Sequence, residues 1–316
     1  MTTNAPKVVA VVGATGAQGG GLVNALLADP QGGFAPRALT RDPESDAARA
    51  LSDRGVVVVR ADLNDRSSLE EAFAGAYGAF CVTNFWELFD PEKEMAQAKN
   101  LAEACARAGV QHAIWSTLED TREFVPLPDD RMPTLLGRYK VPHFDGKGEA
   151  NSYFADAGVP TTYLLASFYW ENFIYFGLGP KPGPEGVLTL SIPMADAPLA
   201  GIGAEDIGPC AYGLFQAEAI GETVGIAGDH LPGQEMASKM SRSLNRKVRY
   251  EPVTPDAFRS LGFPGAEDLG NMFQFYAEYA QAIGSSRSVT ATRELHSGTL
   301  DFDGWLDRRG ALIPLE

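Results

Sequence analysis

Eight residues near the start, Gly13-Ala14-Thr15-Gly16-Ala17-Gln18-Gly19-Gly20, constrain this chain more than any other stretch. They follow the apolar run Val8-Val9-Ala10-Val11-Val12 and precede Leu22, Val23, Ala25, Leu26 and Leu27, whose spacing is helical. Strand, glycine turn and helix in that order make the opening unit of a dinucleotide-binding fold. Gly13 permits the tight turn, Gly16 lets the backbone approach a pyrophosphate, and Gly19 lets helix and strand pack closely. The first helical amides then face the phosphate with the positive end of the dipole. The cofactor-binding set expected at this turn is Gly13, Thr15, Gly16, Ala17, Gln18 and Gly19.

The rest of the first half repeats this rhythm. Strands are expected at Val8–Val12, Pro36–Thr40, Val56–Arg60, Gly78–Val82, His112–Ser116 and Thr161–Leu165, as short apolar runs suited to burial on both faces. Between them Asp42-Pro43 opens a helix, Asp65 caps another through Leu69 and Phe73, and Glu94 to Ala108 forms a third that Gly109 ends. Such alternation predicts a parallel sheet with right-handed crossovers. After Leu165 the rhythm breaks. Gly177 to Gly186 reads as loop, Leu188–Ile192 as a strand, Glu205–Ala217 as a helix, and Lys247–Tyr250 as a short strand. The fold class is α/β: a Rossmann-type doubly wound parallel sheet with a smaller α+β C-terminal domain. Residues 1–170 make the nucleotide-binding domain, with a returning strand near 223–226, and 171–316 the smaller domain that forms a cleft with it.

Composition narrows the function. The net charge of −15 over 316 residues argues against direct binding of nucleic acid. Cys81, Cys105 and Cys210 form no C-x-x-C and read as reduced core residues of a cytoplasmic protein. The N-terminal residues lack the apolar stretch of a signal peptide, and no apolar run is long enough to span a membrane. The histidines His112, His143, His230 and His296 show no metal-binding spacing, so no metal is expected. Neither a G-x-S-x-G elbow nor a G-x-x-x-x-G-K-[ST] loop occurs.

Five runs carry a family likeness: residues 13–20, Thr40-Arg41-Asp42-Pro43, Val82-Thr83-Asn84-Phe85-Trp86-Glu87, His143-Phe144-Asp145-Gly146-Lys147-Gly148-Glu149 and Leu261-Gly262-Phe263-Pro264-Gly265-Ala266. Together they resemble the NmrA-like family, an atypical branch of the short-chain dehydrogenases/reductases, and its redox-sensor members above all. The glycine spacing, G-x-x-G-x-x-G in place of G-x-G-x-x-G, is typical of that wider group. The resemblance implies a Rossmann domain with a small C-terminal domain, NADP(H) as cofactor and, in several members, regulation instead of turnover.

Arg41 is expected to set cofactor choice. NAD-specific proteins hold the ribose hydroxyls with Asp or Glu about 20 residues past the glycines. Here a guanidinium stands in that place and can fork onto the 2′-phosphate of NADP. Asp42 beside it would oppose a phosphate if it turned inward. After the third strand, Asp62-Leu63 lies beside the adenine in relatives; the carboxylate can accept from the exocyclic amine or cap the next turn. Thr83 and Asn84 follow the fourth strand, at the carboxyl edge where open parallel sheets bind ligands.

Active short-chain dehydrogenases carry Tyr-x-x-x-Lys on one helix face, where the cation lowers the phenol pKa. This chain keeps Lys147 but has His143 four residues earlier, so the phenol is missing. Lys147 is expected to bind the nicotinamide ribose, and its removal to leave stability nearly unchanged. His143 is either a proton donor or a structural remnant, and the resemblance favours the remnant. Tyr139 lies outside the helix because Pro142 intervenes. Ser116, with Thr117, follows the fifth strand and either polarises a carbonyl or satisfies a backbone group. The candidate catalytic residues are thus His143, Lys147 and Ser116. Phe168 is expected to line the nicotinamide pocket and Trp170 to pack. Two functions follow: an NADP(H)-binding redox sensor with little turnover, or an NADPH-dependent reductase of a quinone, carbonyl or similar electrophile. The partners are accordingly NADP(H) with either another protein or a small electrophile, and a homodimer is left open.

Overall fold

The computed structural model describes residues 5–183 and 186–315. Its main sheet has seven strands. Six are β1 (Lys7–Val12), β2 (Phe34–Thr40), β3 (Val57–Arg60), β4 (Gly78–Cys81), β5 (His112–Thr117) and β6 (Thr161–Leu165). Their order is β3-β2-β1-β4-β5-β6, and every pairing among them is parallel. The returning strand, Thr223–Gly225, lies at the edge beside β6. The order reverses between β1 and β4, and open α/β sheets bind ligands where the strand order reverses. The loops after β1 and β4 are the glycine turn and Thr83-Asn84.

The helices along the sheet start where capping residues stand. These are α1 (Ala17–Ala28), α2 (Asp46–Asp53), α3 (Arg66–Phe73), α4 (Phe85–Leu88) and α5 (Pro91–Ala108). Asp65 caps α3 as expected. Helix α5 begins a turn earlier than its apolar pattern suggests. Asp90 accepts from the amides of Glu92 and Lys93 at 3.1 Å, with Pro91 in the first turn, and Gly109 ends the helix at φ +67°. Asp42-Pro43 opens no helix. Asp42 Oδ1 instead accepts from the Glu44 amide at 3.0 Å in a local turn, and α2 starts after Ser45, which caps Ala48 N. Helix Ile207–Ala217 packs on α1 at a glycine: a Cβ on Gly208 would lie 2.0 Å from Leu22 N. The three cysteines are free and buried, and the Sγ atoms of Cys81 and Cys105, distant in sequence, are 3.9 Å apart.

The chain separates into two compact units that interleave in sequence. The first comprises the chain to Asp120, Gly146–Leu165 and Glu205–Val224; the second comprises Thr121–Asp145, Ala166–Ala204 and everything from Gly225 onward. They are nearly equal in length and do not divide at residue 170. Residues 121–145 leave the main sheet after β5, and 205–224 return to it as a helix and the edge strand, a path that contiguous periodicity does not reveal.

The second unit holds two three-stranded sheets, one of Asp229–Leu231, Leu199–Ile202 and Phe168–Tyr169, the other of Val248–Tyr250, Leu188–Leu190 and Lys181–Pro182. Lys181–Pro182 falls within the stretch expected to be loop; Pro184 and Glu185 of that stretch lie outside the described residues. Aromatic packing fills this unit. Trp170 meets Phe302 and Trp305, whose indole donates to Glu171 at 2.9 Å. Lys140 is wholly buried, its ammonium donating to the carbonyls of Asp129 and Met132, and burial lowers its pKa. Among the described residues no helix is long and apolar enough to cross a membrane.

Candidate functional site

The glycine turn is shaped by contacts that exclude side chains. Gly13 adopts φ +64°, and its carbonyl accepts from the Gly16 amide at 2.8 Å. A Cβ on Gly19 would sit 2.4 Å from Gly13 O and 2.7 Å from Val12 O, so only glycine fits there. Gly16 is the N-cap of α1 and brings no capping side chain; the first turn carries no acid. Gly13, Thr15, Gly16 and Ala17 are exposed. An uncapped twelve-residue helix with its positive dipole end at the switch point suits an anion, and the residues present fit a dinucleotide pyrophosphate. Gln18 faces β5, where its Oε1 accepts from Ser116 Oγ at 2.8 Å. Ser116 is therefore held by a side chain of the glycine turn.

Arg41 directly follows β2. Its guanidinium is forked onto Glu87 of α4, with Nη1–Oε1 at 2.5 Å and Nη2–Oε2 at 3.4 Å. That bond and the Glu87 charge raise the arginine pKa further, with a smaller contribution from Asp62. Asp62 Oδ1 accepts from the backbone and side-chain nitrogens of Asn64, both at 2.9 Å, and so caps the turn after β3. Leu63 is tied to α5 through Asn100, which donates to its carbonyl at 2.8 Å.

Thr83 and Lys147 meet in a buried cluster. Lys147 lies on α6 (Pro142–Glu149), the helix that carries the most specific of the five runs. Its ammonium donates to Thr83 Oγ1 at 2.7 Å and to Thr83 O at 3.1 Å, and pairs with Glu94 Oε1 at 2.8 Å. Thr83 Oγ1 in turn donates to the same Glu94 oxygen at 2.8 Å. Glu94 is 1% exposed, and its Oε2 has no hydrogen-bond partner among the described residues. The lysine expected to reach out to a ribose is thus anchored inward, and its removal would strand a buried carboxylate. Thr117 steadies the same helix, donating to Lys147 O at 3.0 Å. Asn84 is exposed at the N-cap of α4; its side chain makes no capping bond, while its carbonyl accepts from the Glu87 amide at 3.3 Å.

His143 sits at the other end of α6 and belongs to the second unit. Its Nδ1 is 2.5 Å from Asp268 Oδ1, and its amide donates to Asp268 Oδ2 at 3.3 Å. Both side chains are buried. Asp268 stands in the first turn of helix Ala266–Glu278. Tyr139 precedes the helix and is buried between Arg122 and Arg138, whose guanidinium carbons lie 5.4 and 5.0 Å from its ring centre. Phe168 is 3% exposed and packs between Phe173 and Phe273, as part of the aromatic core of the second unit.

Three acids of this arrangement are not among the candidate site residues of the sequence. Glu94 had a signal, since it falls on the apolar stripe with Ala98, Leu101, Ala102 and Cys105, where a charge needs a partner. Glu87 was inside a quoted run and Asp268 two residues past another, but pairing across distant segments leaves no local mark.

The NmrA-like family matches residues 5–306. The NmrA-like family domain-containing oxidoreductase FrzB of Cladobotryum sp is 32% identical over 285 residues, covering 85% of this chain and 83% of that protein. Among solved structures, Nmra, described as a negative transcriptional regulator, is similar in complex with NAD, with a TM-score of 0.78. Its complex with NADP gives 0.77; both are 26% identical and cover 96% of this chain and 95% of that one.

Proposed function

Because the chain belongs to the NmrA-like family, we propose that it binds NADP(H) and acts as a sensor or regulator with little or no turnover. The glycine turn would hold the pyrophosphate, Arg41 the 2′-phosphate, and Thr83 and Asn84 the adjoining ribose. A bound nicotinamide would supply hydride chemistry, but the position four residues before Lys147 holds no phenol to deliver the matching proton. The observation that carries this reading is the state of Lys147. The residue four before it is histidine, and its ammonium is taken by Glu94 and Thr83. The Tyr-x-x-x-Lys pair is therefore absent from the sequence, which supports the sensor reading. Nmra, a regulator crystallised with NAD and with NADP, is a fitting precedent for binding of either form. Three free buried thiols accord with a cytoplasmic setting.

One observation favours a second reading, an NADPH-dependent reductase. Asp268 lies 2.5 Å from Nδ1 of His143 and fixes the orientation of the ring, as a positioned general acid needs. FrzB is named an oxidoreductase. An anaerobic screen of NADPH oxidation against quinones and carbonyls separates the two. The sensor reading expects binding without appreciable turnover, in wild type and in His143→Ala alike. Robust wild-type turnover that falls about 10²–10⁴-fold in His143→Ala, the usual worth of general acid catalysis, would establish the reductase. For the cofactor assignment, Arg41→Ala should weaken NADP⁺ binding and leave NAD⁺ binding nearly unchanged by calorimetry.

A further inference from the structure

Glu87 stands four residues beyond Thr83 on the short helix α4, and its two carboxylate oxygens engage two nitrogens of Arg41. These are the donors that a phosphate monoester would use, because a guanidinium offers one planar fork to either anion. The guanidinium can serve one of them fully at a time. The pair is open to water, with side chains 66% and 46% exposed, so its rupture is cheap and a ligand can reach it. Asp62 adds a second negative charge near the same arginine.

We infer that Glu87 is the counter-ligand of the 2′-phosphate subsite: it holds the Arg41 fork until the 2′-phosphate of NADP(H) displaces it, and so lowers the preference for NADP over NAD. An NAD-type ribose carries a hydroxyl in place of that phosphate. It leaves the Arg41–Glu87 pair intact, and the carboxylate can accept from the hydroxyl. The residue therefore acts against one cofactor and not the other, which a merely structural glutamate would not do. The inference rests on the assignment of Arg41 to the 2′-phosphate.

The test is calorimetric titration of NADP⁺ and NAD⁺ into wild type, Glu87→Gln, Glu87→Ala, Arg41→Ala and the Arg41→Ala/Glu87→Ala double variant, each checked for folding by circular dichroism. Both Glu87 variants should bind NADP⁺ about two- to fivefold more tightly, the range an exposed ion pair allows, and NAD⁺ no more tightly than wild type does. In the Arg41→Ala background the Glu87 substitution should no longer raise NADP⁺ affinity. Unchanged or weaker NADP⁺ binding in both Glu87 variants, with a selective loss of NADP⁺ in Arg41→Ala, overturns the counter-ligand role and leaves Arg41 in place. An NADP⁺ to NAD⁺ ratio that Arg41→Ala does not alter removes the assignment on which the inference stands.

Discussion

Two cations of the first unit are each paired with a glutamate, and the pairs differ in one physical respect. Arg41 and Glu87 meet in water, with side chains 66% and 46% exposed, whereas Lys147 and Glu94 meet at 12% and 1%. In water the Coulomb gain is small, the partners are exchangeable, and a ligand can compete. Inside the protein each charge depends on the other, and Thr83 Oγ1 bonds to both. The first pair suits an adjustable recognition point. The second suits a fixed support under the segment between β4 and α4, with Glu94 Oε2 left as a buried acceptor.

The largest test of this contrast is Lys147→Ala. It should destabilise the protein by about 3–5 kcal/mol in urea unfolding, because Glu94 is left as an uncompensated buried charge. The double variant Lys147→Met/Glu94→Gln should recover much of that loss, since it removes both charges together. A single-variant change no larger than that of an exposed residue would mean that the cluster is wetter than its burial implies. The burial argues against the expectation, drawn from sequence, that this lysine matters little for stability.

A buried group whose hydrogen-bond partner is uncharged sharpens the point. His112 is wholly buried, and its Nε2 lies 2.8 Å from Thr162 Oγ1, whose own proton goes to Ala219 O at 2.6 Å. Nε2 therefore carries the ring proton, and Nδ1 has no partner among the described residues. Burial holds this histidine down to about 4, from an ordinary value of 6.5. Between those values the unfolded chain binds a proton that the folded one refuses. The contribution is complete above the unfolded pKa and is lost as pH falls towards the folded one, by at most about 3 kcal/mol. Urea unfolding across that window should show stability rising with pH, and His112→Asn should flatten the slope. An unaltered slope in the variant would assign it to other groups.

The smallest effect is expected at the exposed pair. Glu87→Ala should change stability by no more than about 1 kcal/mol, and added salt should shrink even that. A larger loss would show Arg41–Glu87 to be a structural clasp of α4, and the contrast with Lys147–Glu94 would disappear.

Much of this arrangement is legible in the sequence. Strand β6 falls at the expected Thr161–Leu165, and β1, β2, β3, β4 and β5 lie within two residues of their expected bounds. Buried parallel strands announce themselves as short apolar runs whatever their neighbours. The glycine turn was equally plain, because Gly13 and Gly19 answer to local sterics. Start signals misled where two turns competed, as at Asp42-Pro43, where the aspartate closes a turn on Glu44 and Ser45 caps the helix.

The sequence by itself determined the α/β class, the glycine cradle at the end of β1, the arginine after β2 and the missing phenol before Lys147. Each is fixed by residues within a few positions of one another, where backbone geometry and periodicity act. Only the tertiary structure decided the partners: Glu87 for Arg41, Glu94 and Thr83 for Lys147, Asp268 for His143, and the aromatic core for Phe168. It also decided that residues 121–145 and 205–224 exchange units. A charge reveals in sequence that it needs compensation, but which of 41 acidic residues supplies it is settled when the chain folds and distant segments come within hydrogen-bonding reach.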